Sequence, residues 1–256
     1  QQLQAKDVEH GLYELLASYG ITAEKNLILD PQCKRINVSS QQGMFRMQHI
    51  VSYPYFPAVT DLDKSHVLTS ELEALSFPFL SSLAVAQDKA ERHYTVLART
   101  TAQSWQEKGF YPINPMERKV PPSNPVKGPF NAVVAAMGVF DSAFASKISQ
   151  GGVDYISDPS TALNKSAETR MLVVGDASLP QDEYFDPSNV IFFINAMDWL
   201  VQDSELIQIR NRGLTDRPLD KLEPLSRNLL RYANVIGVPL LLVLGGLGRW
   251  QWRKAR

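Results

Sequence analysis

Apolar positions divide the chain into several short runs, one long terminal run and polar stretches between them. Near the start, VEHGLYELLASYG sets Val8, Leu12, Leu15 and Leu16 three and four residues apart. That spacing predicts an amphipathic helix, closed by Gly20. Residues 21–29 read as extended chain stopping at Asp30-Pro31. A helix followed by a strand suggests an α/β layer. Residues 46–51 predict a strand broken by the prolines of Tyr53-Pro54-Tyr55-Phe56-Pro57, and residues 70–75 a short helix. Four compact apolar runs, at 83–86, 94–98, 132–137 and 171–174, predict strands covered on both faces. Residues 116–129 (MERKVPPSNPVKGP) and 150–167 predict long loops.

The fourth run ends abruptly in Gly175-Asp176-Ala177-Ser178. Beyond it, Asp186-Pro187-Ser188 offers a helix N-cap with proline at the first helical position. Residues 190–201 are apolar almost all round, which predicts a helix buried on most faces. Asn195 and Asp198 interrupt that surface and need partners if buried. Residues 206–209 read as a closing strand, and residues 216–224 as the connection to the terminal run.

The terminal run YANVIGVPLLLVLGGLG, residues 232–248, is uncharged and about 17 residues long. Extended to Trp250 and back through Leu229-Leu230, it reaches roughly 20 residues, the length of a membrane span. Tyr232 and Pro239 lie within it. Trp250 and Trp252 stand where an interfacial aromatic belt belongs, and Arg253 and Lys254 open a basic tail. From Ser226 onward the basic residues are Arg227, Arg231, Arg249, Arg253, Lys254 and Arg256, with no acidic residue. The expectation is a single C-terminal transmembrane helix with a cytosolic tail and the main domain outside the cytoplasm.

Composition narrows the remaining classes. Apolar content of 44% and charged content of 21% over 256 residues suit a folded domain rather than a disordered chain. A net charge of −1 gives no electrostatic footprint for nucleic acid. Cys33 is the only cysteine, so an intrachain disulfide and a cysteine-built zinc site are both excluded. The chain opens Gln-Gln, with neither Met nor a signal-like apolar region, and is expected to be the C-terminal part of a longer polypeptide.

The succession GLYELLASYGI, NLILD, SYPYFPAV, GPFNAVVAAMGVFDSAFASK and RMLVVGDASLP continues into SNVIFFINAMDWLVQDSELIQIRNRGLTDRPL and the terminal run. It resembles auxiliary subunits of ABC transporters of the gliding-motility GldG type, over essentially the whole chain and in the family's order. The most specific part is Asn189, Asn195, Asp198-Trp199-Leu200, Asp203 and Ile209-Arg210. The resemblance implies an α/β domain with a flavodoxin-like, class I glutamine-amidotransferase-like sandwich, followed by the C-terminal transmembrane helix. It implies an ABC permease and a cytoplasmic ATPase as partners, at the bacterial inner membrane. The corresponding boundaries are 1–222 for the extracytoplasmic domain, 223–252 for the membrane helix with its flanks, and 253–256 for the tail.

Chemistry is thin beside this resemblance. An amidotransferase needs a cysteine nucleophile at a strand-to-helix elbow with a histidine base, and Cys33 follows Asp30-Pro31 with no such elbow. Ser178 has no histidine downstream, as a Ser-Asp-His order requires; His10, His49, His66 and His93 all precede it. Asp61-Leu62-Asp63 with His66 matches no metal motif, and Gly151-Gly152 lacks the continuation of a phosphate loop. The expectation is a non-enzymatic accessory subunit with no cofactor and no metal. Strand ends in open α/β sheets host ligands, so Asp176, Ser178 and Asn189 form a candidate groove for a glycan, peptide or lipid headgroup. The alternatives are a membrane-tethered envelope hydrolase or a substrate-binding module using that groove.

Overall fold

A computed structural model describes residues 3–6, 8, 11–42, 45–86, 91–117, 119–144, 163–201, 249 and 252–254. The chain divides into two units, Gln1–Leu214 and Thr215–Arg256. The first unit opens with β1 (Gln4–Ala5), α1 (Leu12–Ser18), β2 (Ile21–Ala23), β3 (Leu27–Leu29), β4 (Cys33–Gln42) and β5 (Phe45–Val59). There follow β6 (Asp61–Leu62), β7 (Leu75–Ser76), β8 (Leu83–Val85), β9 (Arg92–Arg99), β10 (Trp105–Glu107) and β11 (Tyr111–Pro112). It closes with β12 (Asn131–Gly138), β13 (Thr169–Val174) and α2 (Pro187–Leu200).

The largest sheet has six strands, in the order β2-β8-β12-β9-β6, with β13 also paired to β12. Its centre is β12, whose residues 132–136 are buried without interruption, as the apolar run AVVAA requires. One edge of β12 carries β9. The other carries β13 from Val133 to Gly138 and β8 at Asn131 alone. Leu97, Ala132, Val133, Phe77 and Leu80 belong to the main core, and Ile21, Val134, Ala136 and Phe140 to a second cluster. Every strand register among the described residues is antiparallel. The domain is mixed α/β and mostly strand.

The four apolar runs form β8, β9, β12 and β13, and the opening helix ends where expected. Gly20 adopts a φ of 86°, and its N–H donates to the Ala17 carbonyl. Three expectations differ. The segment with two prolines is not a break: β5 continues through it, burying Tyr53, Tyr55 and Val59 in alternation. Ser52 pairs with Arg35 while Pro57 pairs with Cys33, so the prolines sit in an irregular stretch where ladder N–H groups are not needed. Their carbonyls are still used, by Asp30 N–H and Phe77 N–H.

Residues 70–75 are not a helix. Their end is captured as strand β7 by Ala58 and Val59, a tertiary pairing that outranks local preference. Helix α2 buries only one stripe: Asn189, Phe192, Asn195, Ala196 and Trp199. Its other side leaves Val190, Phe193, Ile194 and Met197 between 39% and 51% exposed. The start is as expected, with Asp186 capping through a bond from Ser188 N–H and Pro187 in the first turn.

Among the described residues, no helix is long and apolar enough to cross a membrane. Tyr232, Pro239 and Trp250 of the expected span, and the expected strand at 206–209, lie outside the described residues. Trp252, Arg253 and Lys254 are helical, and Trp252 is exposed.

Candidate functional site

The turn after β13 is set by its neighbours on the edge of β12. Gly175 N–H donates to the Ala132 carbonyl at 2.9 Å, and Ser81 N–H donates to the Gly175 carbonyl at 2.8 Å. A Cβ at position 175 would overlap the Ser81 carbonyl, so only glycine permits this approach. The chain is thereby fastened between β12 and the entry to β8, and Asp176 is turned inward.

Asp176 is 6% exposed. Its Oδ1 accepts the Ser178 N–H at 2.7 Å, the short loop closure that aspartate makes in turns. Its Oδ2 is buried without a hydrogen-bond partner. Burial pushes the carboxyl up to about 7, and the Ser178 N–H and hydroxyl pull it down only in part.

Asp176 and Ser178 line a groove of about 510 Å³. One wall comes from the N-terminal segment and α1, with Val8, Leu12 and Leu16. Leu27, Phe79 and the exposed Lys6 and Lys25 also line the groove. Lys25 lies 5.3 Å from the centre of the Tyr13 ring, a second groove residue. Phe79 has a φ of 62°, a left-handed conformation that costs a non-glycine residue of order 1–2 kcal/mol. Its N–H bond to the Tyr55 carbonyl and ring contacts to Phe56 and Tyr184 hold it there.

Asn189 does not join the other two. Its amide accepts from Ser76 N–H at 3.0 Å and donates to the Ser76 carbonyl at 2.7 Å, so it ties α2 to β7 in the buried interior. Cys33 opens β4, where burial and the neighbouring Asp30 carboxylate push its thiol up, away from the thiolate a nucleophile needs. Asp63 accepts both the N–H and the hydroxyl of Ser65, and these bonds hold its carboxyl below the usual range. His66 packs edge-on against Trp199, and His49 bonds Ser40 in the long hairpin. Among the described residues, none that lines the groove is a histidine. His10 lies outside the described residues.

Local sequence does not reveal the rest of the groove. Lys6, Lys25 and Phe79 come from three separated segments, and no spacing rule links them to Asp176. The one local signal is the pair of turn residues after an apolar run, which locates Asp176 and Ser178 and no other residue of the lining.

No curated protein and no solved structure matches the chain. The family described as an ABC-type uncharacterized transport system matches residues 1–202, which include the sheet, the groove and helix α2. The chain belongs to this family and is an auxiliary component of an ABC transport system.

Proposed function

We propose that the chain is a membrane-anchored, non-enzymatic accessory subunit of a GldG-type ABC transporter complex. Its α/β domain lies on the extracytoplasmic side over the permease, where it transmits conformational change or contacts cargo, and ATP hydrolysis belongs to a partner. The family match over residues 1–202 carries the reading. The uncharged run at 232–248, followed by Arg249, Arg253, Lys254 and Arg256, supports the anchor and its orientation.

The site chemistry favours binding over hydrolysis. Asp176 spends one oxygen on the Ser178 backbone, an arrangement that shapes a turn and does not activate a hydroxyl. Purification of the tagged chain from its native membrane in mild detergent tests the assembly. The permease and ATPase subunits are expected to come with it, and their absence would refute the accessory role.

A further inference from the structure

The buried side of α2 fixes the rotation of the helix. Asn189 exchanges two hydrogen bonds with the Ser76 backbone, and Arg170 donates to the Trp199 carbonyl at 2.8 Å while stacking on the Trp199 ring. Phe192 and Trp199 belong to the main core. The opposite side is thereby held outward, and it is apolar. Val190, Phe193, Ile194, Met197, Leu200 and Val201 are all exposed. Their spacing of three, four and seven residues sets them on one stripe, roughly three turns long. Single exposed apolar residues are ordinary on a protein surface, whereas a contiguous stripe marks an interaction site.

Charge around the stripe selects its partner. Residues 177–201 carry Asp182, Glu183, Asp186 and Asp198 and no lysine, arginine or histidine. Among the described residues, Lys34 and Arg170 reach the helix from elsewhere, and both are engaged, Lys34 with Asp186 and Arg170 with Trp199. Asp182 and Glu183 stay exposed just ahead of the helix start. An anionic lipid surface is repelled by this acidic segment, and a second copy of the chain brings an equal one to the contact. A cationic rim on the partner balances it. Rows of side chains three and four residues apart form the ridges and grooves into which a second helix fits.

We infer that the exposed stripe of α2 docks an amphipathic helix of a transporter subunit, apolar along one face and carrying lysine or arginine where it meets Asp182 and Glu183. The inference rests on the accessory-subunit reading and names the surface through which the chain is held.

The test is photo-crosslinking in the native membrane. p-Benzoylphenylalanine replaces Phe193 in one full tagged chain and Met197 in another, with the exposed Ile50 of β5 as the control position. Crosslinked peptides are identified by mass spectrometry. Both α2 positions are expected to capture a peptide of the permease or another transporter subunit. That peptide has apolar residues three and four apart and a lysine or arginine within about two turns of the crosslink. A crosslink to the chain itself, to a second copy or to lipid alone overturns the inference. So does a transporter peptide without that pattern, the same peptide captured from position 50, or no crosslink at all. In parallel, Phe193→Glu with Met197→Glu is expected to lower recovery of the transporter subunits in mild detergent by about tenfold or more, and Asp182→Lys with Glu183→Lys by several-fold. Both pairs change only exposed positions; should one fail to fold, the crosslinks decide. If the unchanged chain and the folded variants recover permease and ATPase alike, the docking surface falls and the accessory role stands. If the unchanged chain recovers neither subunit, both fall.

Discussion

Asp30 and Asp176 both follow a strand directly or within two residues and are 1% and 6% exposed, yet the protein treats them in opposite ways. Asp30 Oδ1 accepts from Gln32 N–H at 2.8 Å and the Thr101 hydroxyl at 2.9 Å, and its Oδ2 accepts from Thr101 N–H at 2.8 Å. Asp176 has the Ser178 N–H on one oxygen and nothing on the other. A carboxylate with both oxygens matched is a structural tie, here between the turn after β3 and the chain after β9. One held on a single oxygen closes its own turn and ties no distant segment. Burial alone does not distinguish them; the donor inventory does.

The contrast is broken most severely at Asp30. Asp30→Ala leaves two backbone N–H groups and a hydroxyl without their acceptor, and the expected loss is about 4 kcal/mol in denaturant unfolding. A loss below about 1 kcal/mol would show that these bonds are not the tie described.

At Asp176 the effect runs the other way and depends on pH. The carboxyl is pushed from its ordinary 3.8 up to about 7 by burial, so the unfolded chain loses this proton before the folded one does. Stability from this group is therefore full below pH 4, falls as pH rises from about 4 to 7, and stays low above that. The ceiling is roughly 4 kcal/mol, and relaxation around the charge lowers it. Asp176→Asn is expected to be more stable than the unchanged protein at pH 8, with the advantage vanishing near pH 4. The expectation fails if thermal unfolding shows the same difference at both pH values. Tyr184, whose hydroxyl is raised by burial, by Glu183 and by Asp176, titrates well above this window.

Ser178→Ala is the mildest change. The backbone N–H that closes the turn survives it, and only the hydroxyl's pull on the Asp176 carboxyl is lost. The expected stability change is within about 1 kcal/mol, with the Asp176 titration, followed by NMR, moving further upward. A larger loss of stability would mean that the hydroxyl carries the turn.

The chain by itself determined the elements whose signals are local. The runs at 83–86, 94–98, 132–137 and 171–174 are apolar enough to be strands wherever they pair. Gly20 ends a helix because its φ of 86° suits no other residue well, and Asp186-Pro187 starts one by capping geometry. Gly175-Asp176-Ala177-Ser178 is legible as a turn for the same reason.

Tertiary structure decided what depends on distant partners. Strand β4 is polar along most of its length and carries little periodic signal; β5 makes it a strand and draws its own two prolines into the same hairpin. The bond pattern of Asn189 places it against Ser76, 113 positions earlier in the chain, and not in the groove. Asp30 and Asp176 cannot be told apart by their local sequence, since each is an aspartate closing an apolar run. Only Thr101, brought to one and not to the other, makes the first a tie and leaves the second with one buried oxygen unmatched. Hydrogen-bond satisfaction is a property of the folded neighbourhood, and the chain writes it in residues far apart.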